Sequence, residues 1–220
     1  MLILIGILSF GAAGLVRWWM NRTYEKWRVV PNALGANGYM VARHILDTNG
    51  LQTVQLEVAP GKLSDHYIPS QKRIRLSEFV NNQPSVASIA VAAHEVGHAL
   101  QDADHYKPLK MKAMMMPLAA LGNNAGIMMA LAGSAIGSSS LVNTGMLMLG
   151  AGVLMQLLTL PIEFDASKRA LAELTRLKLV DQRDYEGAKS MLTAAALTYV
   201  ASAASSFAFL AFILLRLFKR

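Results

Sequence analysis

Two histidines four residues apart with a glutamate after the first, His94-Glu95-Val96-Gly97-His98, form the group in this 220-residue chain best suited to chemistry. Positions i and i+4 of a helix share a face, so both imidazoles can reach one metal ion, and Glu95 can reach a water held by that ion. The ion draws the water's pKa toward neutrality and polarises a carbonyl, the glutamate takes the proton, and a peptide bond is hydrolysed. Accident would supply only about 0.004 HExxH motifs in a chain of this composition, so the spacing is a strong signal. Burying such a polar trio in the Ala-rich stretch Val86–Gln101 is costly unless it has a job. Gly97, lacking a side chain, leaves room near the ion.

A catalytic zinc takes three protein ligands and keeps one position open. The extended pattern HExxHxxGxxH needs Gly at 101 and His at 104, but the chain has Gln101 and Asp104, with His105 one residue out of register. The remaining source is an acid on a distant helix, offered by Pro161-Ile162-Glu163-Phe164-Asp165. Glu163 ends a charge-free run of 50 residues and is the preferred ligand; Asp165 is the alternative, or a support for one of the ligands.

The elements that must position these groups follow from where charge is missing. Only 16% of the residues are charged, and Met1–Val16, Ala113–Ile162 and Ser190–Leu215 carry none. About 18 apolar residues suffice to suggest a bilayer span, so the pattern points to a membrane protein. It also excludes disorder, and the absence of cysteine excludes a disulfide scaffold and thiolate metal sites. Met1–Trp19 reads as an uncleaved anchor, because its positive residues follow the apolar run; a cleaved signal peptide is the competing possibility. Gly137-Ser138-Ser139-Ser140 divides the central run into a hairpin of two spans, and the small residues of Leu192–Ala204 prepare a fourth span for close packing. Asn123, Asn124, Asn143 and Gln156 suit hydrogen bonds between helices or the lining of a polar cavity.

Lys and Arg number twelve in residues 17–113, six in 163–189 and three at the C-terminus, Arg216, Lys219 and Arg220. The positive-inside rule therefore places both polar segments in the cytoplasm and accounts for the net charge of +7 without a nucleic-acid partner. Within the first segment, Leu34–Thr48 predicts a helix stopped at Asn49-Gly50. Period-two alternation then predicts an antiparallel ribbon of strands 53–58, 64–68 and 72–77, followed by the HExxH helix after Pro84-Ser85.

These residues resemble the YugP-type membrane neutral zinc metallopeptidases over most of the chain. The likeness rests on Gly38-Tyr39-Met40-Val41-Ala42-Arg43, Asp65-His66-Tyr67 with Pro69, Ile74-Arg75-Leu76-Ser77, Ala92–Ala99 around the metal motif, and Leu160–Ser167. The resemblance implies an integral membrane zinc peptidase of bacterial type. One departure is Ile68, where the pattern leads us to expect an acid. The glutamate pattern is also similar to the broader membrane gluzincins, in which an acid four residues after the ligand glutamate supports a ligand histidine; Ser167 stands there instead. His66 and Tyr67 are candidate donors to an oxyanion, or parts of a turn beside a substrate-binding strand edge. His44 and His105 read as surface and loop residues.

The expected molecule is a mainly α, four-span membrane protein with a small cytoplasmic zincin-like α+β unit. Its segments are an anchor (1–19), a cytoplasmic segment with HExxH (20–113), a transmembrane hairpin (114–162), a cytoplasmic helix with the third-ligand motif (163–190) and a C-terminal transmembrane helix (191–220). One Zn2+ per chain and a protein or peptide substrate are implied. A noncatalytic membrane scaffold with a structural metal site is the alternative. A metal-ion transporter would need charges within its spans, and there are none.

Overall fold

Local capping chemistry starts the helices around the motif. Asn37 accepts from the Met40 amide and opens α2 (Gly38–Thr48), four residues later than the apolar pattern predicts, because the chain turns through Gly35 at φ 62° first. Ser85 accepts from the Ser88 amide and opens α4 (Val86–Ala103). In this computed structural model, which describes residues 2–217 and their side chains apart from 2–10, 117–124, 209 and 212–217, the chain is mainly helical with one small sheet. The other helices are α1 (Leu2–Arg28), α3 (Glu78–Asn82), α5 (Lys107–Ile136), α6 (Ser139–Arg176) and α7 (Gln182–Leu217).

The sheet differs from the expected ribbon. Its strands β1 (Gln55–Ala59), β2 (His66–Ile68) and β3 (Arg73–Ser77) lie in the order β1-β3-β2, with β3 antiparallel to β2 but parallel to β1. Period two specifies alternating faces and carries no information on strand direction. The pairing sets Leu56 opposite Ile74 and Val58 opposite Leu76, and Ile74 and Leu76 are fully buried.

The chain forms two compact units. One comprises Arg17–Tyr106 and Ile162–Leu197. Its core gathers Tyr24, Ile45, Leu46, Ile74, Leu76, Val80, Ile89 and Val96 from α1, α2, β3, α3 and α4. The other comprises Met1–Val16, Lys107–Pro161 and Thr198–Arg220. There α5 and α6 meet through glycines: a Cβ on Gly145 would stand 2.6 Å from the Gly126 carbonyl oxygen, and one on Gly133 2.7 Å from the Val142 nitrogen. The turn between them falls where the sequence places it, with Gly137 at φ 74°. Segment 163–190, expected as one helix, is instead the end of α6 and the start of α7. The break carries Lys178 at φ 55°, and Asp181 caps α7 by accepting from the Asp184 amide at 2.7 Å.

Among the described residues two helices are long and apolar enough to cross a membrane, Ser139–Arg176 and Gln182–Ala208. Residues 1–10 of the first expected span and part of the second lie outside the described side chains, as do Asn123, Asn124, Arg216, Lys219 and Arg220. Asn143 is exposed and Gln156 half-buried.

Candidate metal centre

α4 presents His94 and His98 on one face, their rings 4.8 Å apart and nearly perpendicular. α6 supplies the third group. Its Glu163 Oε2 stands 3.3 Å from His94 Nε2 and 3.6 Å from His98 Nε2, with the carboxylate buried and both rings largely so. One donor atom from each of the three residues lies within 4.8 Å of the others. Two ligand atoms about 2.1 Å from a tetrahedral zinc stand about 3.4 Å apart, so the distances to Glu163 suit a single small cation. The donor set, two neutral nitrogens and one carboxylate, suits zinc.

Close helix approach makes this convergence feasible. A Cβ on Gly97 would stand only 2.4 Å from the Ala166 carbonyl oxygen. The room that Gly97 leaves is therefore filled by the backbone of α6, not by the ion's surroundings. With the helices in contact, Glu163 and Ser167, one turn apart, face the two histidines together. Ser167 Oγ lies 3.2 Å from His94 Nδ1, the place of the supporting acid.

Gln101, which sequence reasoning noted only as a departure from the extended motif, lies fully buried behind the other histidine. Its Oε1 is 3.0 Å from His98 Nδ1, and its amide nitrogen donates to the Ile162 carbonyl at 2.7 Å and to Asp165 Oδ2 at 2.9 Å. Position 101, one turn beyond His98 on the same helix, was the available signal. Asp165 is not drawn into the three-residue cluster: the same carboxylate oxygen also accepts from Arg169 Nε at 2.6 Å. Arg169 pairs in addition with Asp104.

Glu95 is buried beside the cluster. Burial lifts its carboxyl above the ordinary value; His94 and His98 oppose the shift, while Asp65 and Glu163 add to it. Burial alone would lower the His98 imidazole, but the Glu163 carboxylate facing its Nε2 and the charge of Glu95 leave it raised. His66 is exposed, with Nδ1 2.7 Å from the Ser64 carbonyl oxygen. The Tyr67 hydroxyl donates to Asp102 at 2.7 Å, and Asp102 also pairs with Lys72 at 2.5 Å. Burial, and then the Asp102 carboxylate, push the Tyr67 phenol well above its ordinary value. His44 is exposed, and His105 occupies the turn after α4 at φ 55°.

Residues 1–218 match the model of a family described as "Putative neutral zinc metallopeptidase". The chain belongs to this family. Its description implies zinc, for which His94, His98 and Glu163 form a suitable cluster. Among curated proteins, the chain is 38% identical over 212 residues to "Putative membrane protease YugP" of Bacillus subtilis (strain 168), covering 94% of each chain. No solved structure matches it.

Proposed function

We propose that the protein is a membrane-embedded zinc-dependent endopeptidase that cleaves a protein or peptide substrate at the cytoplasmic face of the membrane. The observation that carries this reading is the convergence of His94, His98 and Glu163 beside the buried carboxylate of Glu95. His94, His98 and Glu163 hold one zinc. Bound there, zinc supplies Lewis acidity toward water and toward the scissile carbonyl.

The chain's own groups do the rest. Glu95, its carboxyl raised by burial, is a general base with a higher proton affinity than a solvated glutamate. It accepts the proton of the attacking water and returns it to the amine as the peptide C–N bond breaks, leaving a carboxylate and an amine. Ser167 and Gln101 orient the two imidazoles from behind. Before Tyr67 donates to substrate its hydroxyl must leave Asp102, whereas His66, held at Ser64 through Nδ1, would donate from Nε2.

The membrane arrangement belongs to the same proposal: an anchor at 1–19, a hairpin at 114–162 and a final span within 191–220, with 20–113 and 163–190 in the cytoplasm. Two apolar helices of sufficient length, a relative named a membrane protease, and the skew of Lys and Arg toward 17–113 and 163–189 support it. The lipid bilayer is then the second partner, and nucleic acid has no part.

The test is Glu95→Gln in the purified, detergent-solubilised chain. We expect zinc to remain bound while cleavage of an unfolded protein substrate is lost. Turnover equal to that of the wild type would overturn the assignment of Glu95 as the base.

A further inference from the structure

Gln101 is a buried side chain whose polar atoms all meet partners of fixed polarity, save one. Its amide nitrogen has two hydrogens, and both are used: one reaches the Ile162 carbonyl and the other Asp165 Oδ2. Both partners are oxygens, and Asp165 is held in place by its ion pair with Arg169. Turning the amide over would aim its oxygen at these two oxygens, so the orientation is settled. Oε1 must therefore face His98 Nδ1, 3.0 Å away. An amide oxygen only accepts, so Nδ1 carries a hydrogen, and in the neutral imidazole, the form that binds a metal, Nε2 on the side of Glu163 keeps its lone pair.

We propose that Gln101 is a positioning residue that fixes His98 in the Nδ1–H tautomer and thereby presents Nε2 to the metal, with Asp165 and Arg169 locking the amide from behind. The inference rests on the zinc reading above and extends it to residues outside the ligand set. His94 has no equivalent constraint. Its Nδ1 neighbour is the Ser167 hydroxyl, which rotates and can donate or accept, so it does not dictate a tautomer. One ligand is preset and the other adapts. This also gives Asp165 a task that its own distance from the cluster would not suggest.

The experiment uses the full chain in detergent. Zinc affinity is measured by competition with a chromogenic chelator for the wild type, Gln101→Ala, Gln101→Met, Ser167→Ala and His98→Ala. Ring nitrogens of zinc-loaded, 15N-histidine-labelled wild type and Gln101→Met are followed by NMR. Both Gln101 variants should lose about tenfold to hundredfold in affinity, as partners behind a metal ligand do, and Ser167→Ala should lose less. Wild-type His98 should bind through Nε2 and show a slowly exchanging Nδ1–H, which exchanges faster in Gln101→Met. The methionine variant keeps the volume of the side chain, and the wild-type spectrum tests the tautomer with no variant at all. Unchanged affinity in both Gln101 variants, or wild-type His98 binding through Nδ1, would overturn the proposal while leaving the zinc reading intact. Zinc affinity unaffected by His98→Ala would remove the zinc reading and this proposal together.

Discussion

The two compact units bury opposite things. In Arg17–Tyr106 with Ile162–Leu197, large apolar side chains such as Ile45, Leu46, Ile74 and Ile89 are wholly enclosed, while ion pairs such as Arg43–Asp47 and Arg73–Glu57 face outward. In the unit containing Lys107–Pro161 the order is reversed: Met114 is 82% exposed and Leu147 76%, and glycines occupy the helix contacts. Water drives large apolar groups inward, whereas lipid tails exert no such drive and helices approach through small residues. The contrast supports the membrane placement proposed for the hairpin. It also shows where the two designs meet in kind. Gly97 uses the same small-residue contact in the unit otherwise built like a soluble core, and that contact lets α6 deliver Glu163.

The comparison is open to several tests, the strongest at the chemistry. Glu95→Gln should lower cleavage by about a thousandfold, within the range of general-base contributions, with zinc content unchanged by metal analysis. Next, Glu163→Ala should weaken zinc by more than the roughly hundredfold that marks the upper end for supporting partners, and Asp165→Ala by about tenfold. Equal losses from the two in a chelator competition would blur the distinction between a ligand and a residue acting through Gln101.

Gly97→Ala addresses the packing itself. The added Cβ meets backbone, which yields little, so we expect about 2 kcal/mol of destabilisation, seen as an earlier unfolding transition in tryptophan fluorescence. Trp18, Trp19 and Trp27 all lie in the unit that holds the metal cluster, so that signal reports on it. The smallest effect on metal is expected from Gly145→Leu. It should disturb the contact of α5 with α6, yet leave zinc affinity within about twofold, since changes at distant sites without shared partners act independently. A large loss of zinc in this variant would show that the two units are energetically one.

Much of the site was legible before the fold. His94, Glu95 and His98 follow from the helical period, the helix start at Ser85 from its capping chemistry, and the turn at Gly137 from a break in the apolar run. Glu163 stood out because it is the first charge after 50 uncharged residues. The parallel pairing of β1 with β3 did not stand out, since alternation of faces is the same for either strand direction. Nor did the end of α6 at Arg176, a boundary within a polar stretch where no periodic signal changes.

What the sequence by itself determined is the metal-binding motif and the alternation of charged and charge-free segments, because both are properties of local order: residue types at helical spacing, and long runs without charge. Only the tertiary structure decided which distant groups stand beside that motif. Glu163, not Asp165, faces the histidines; Ser167 and Gln101 stand behind them; Asp165 turns to Gln101 and Arg169. These assignments depend on the rotation of α6 against α4. That rotation is set where Gly97 meets Ala166, more than sixty residues apart in sequence and in contact only in the folded chain.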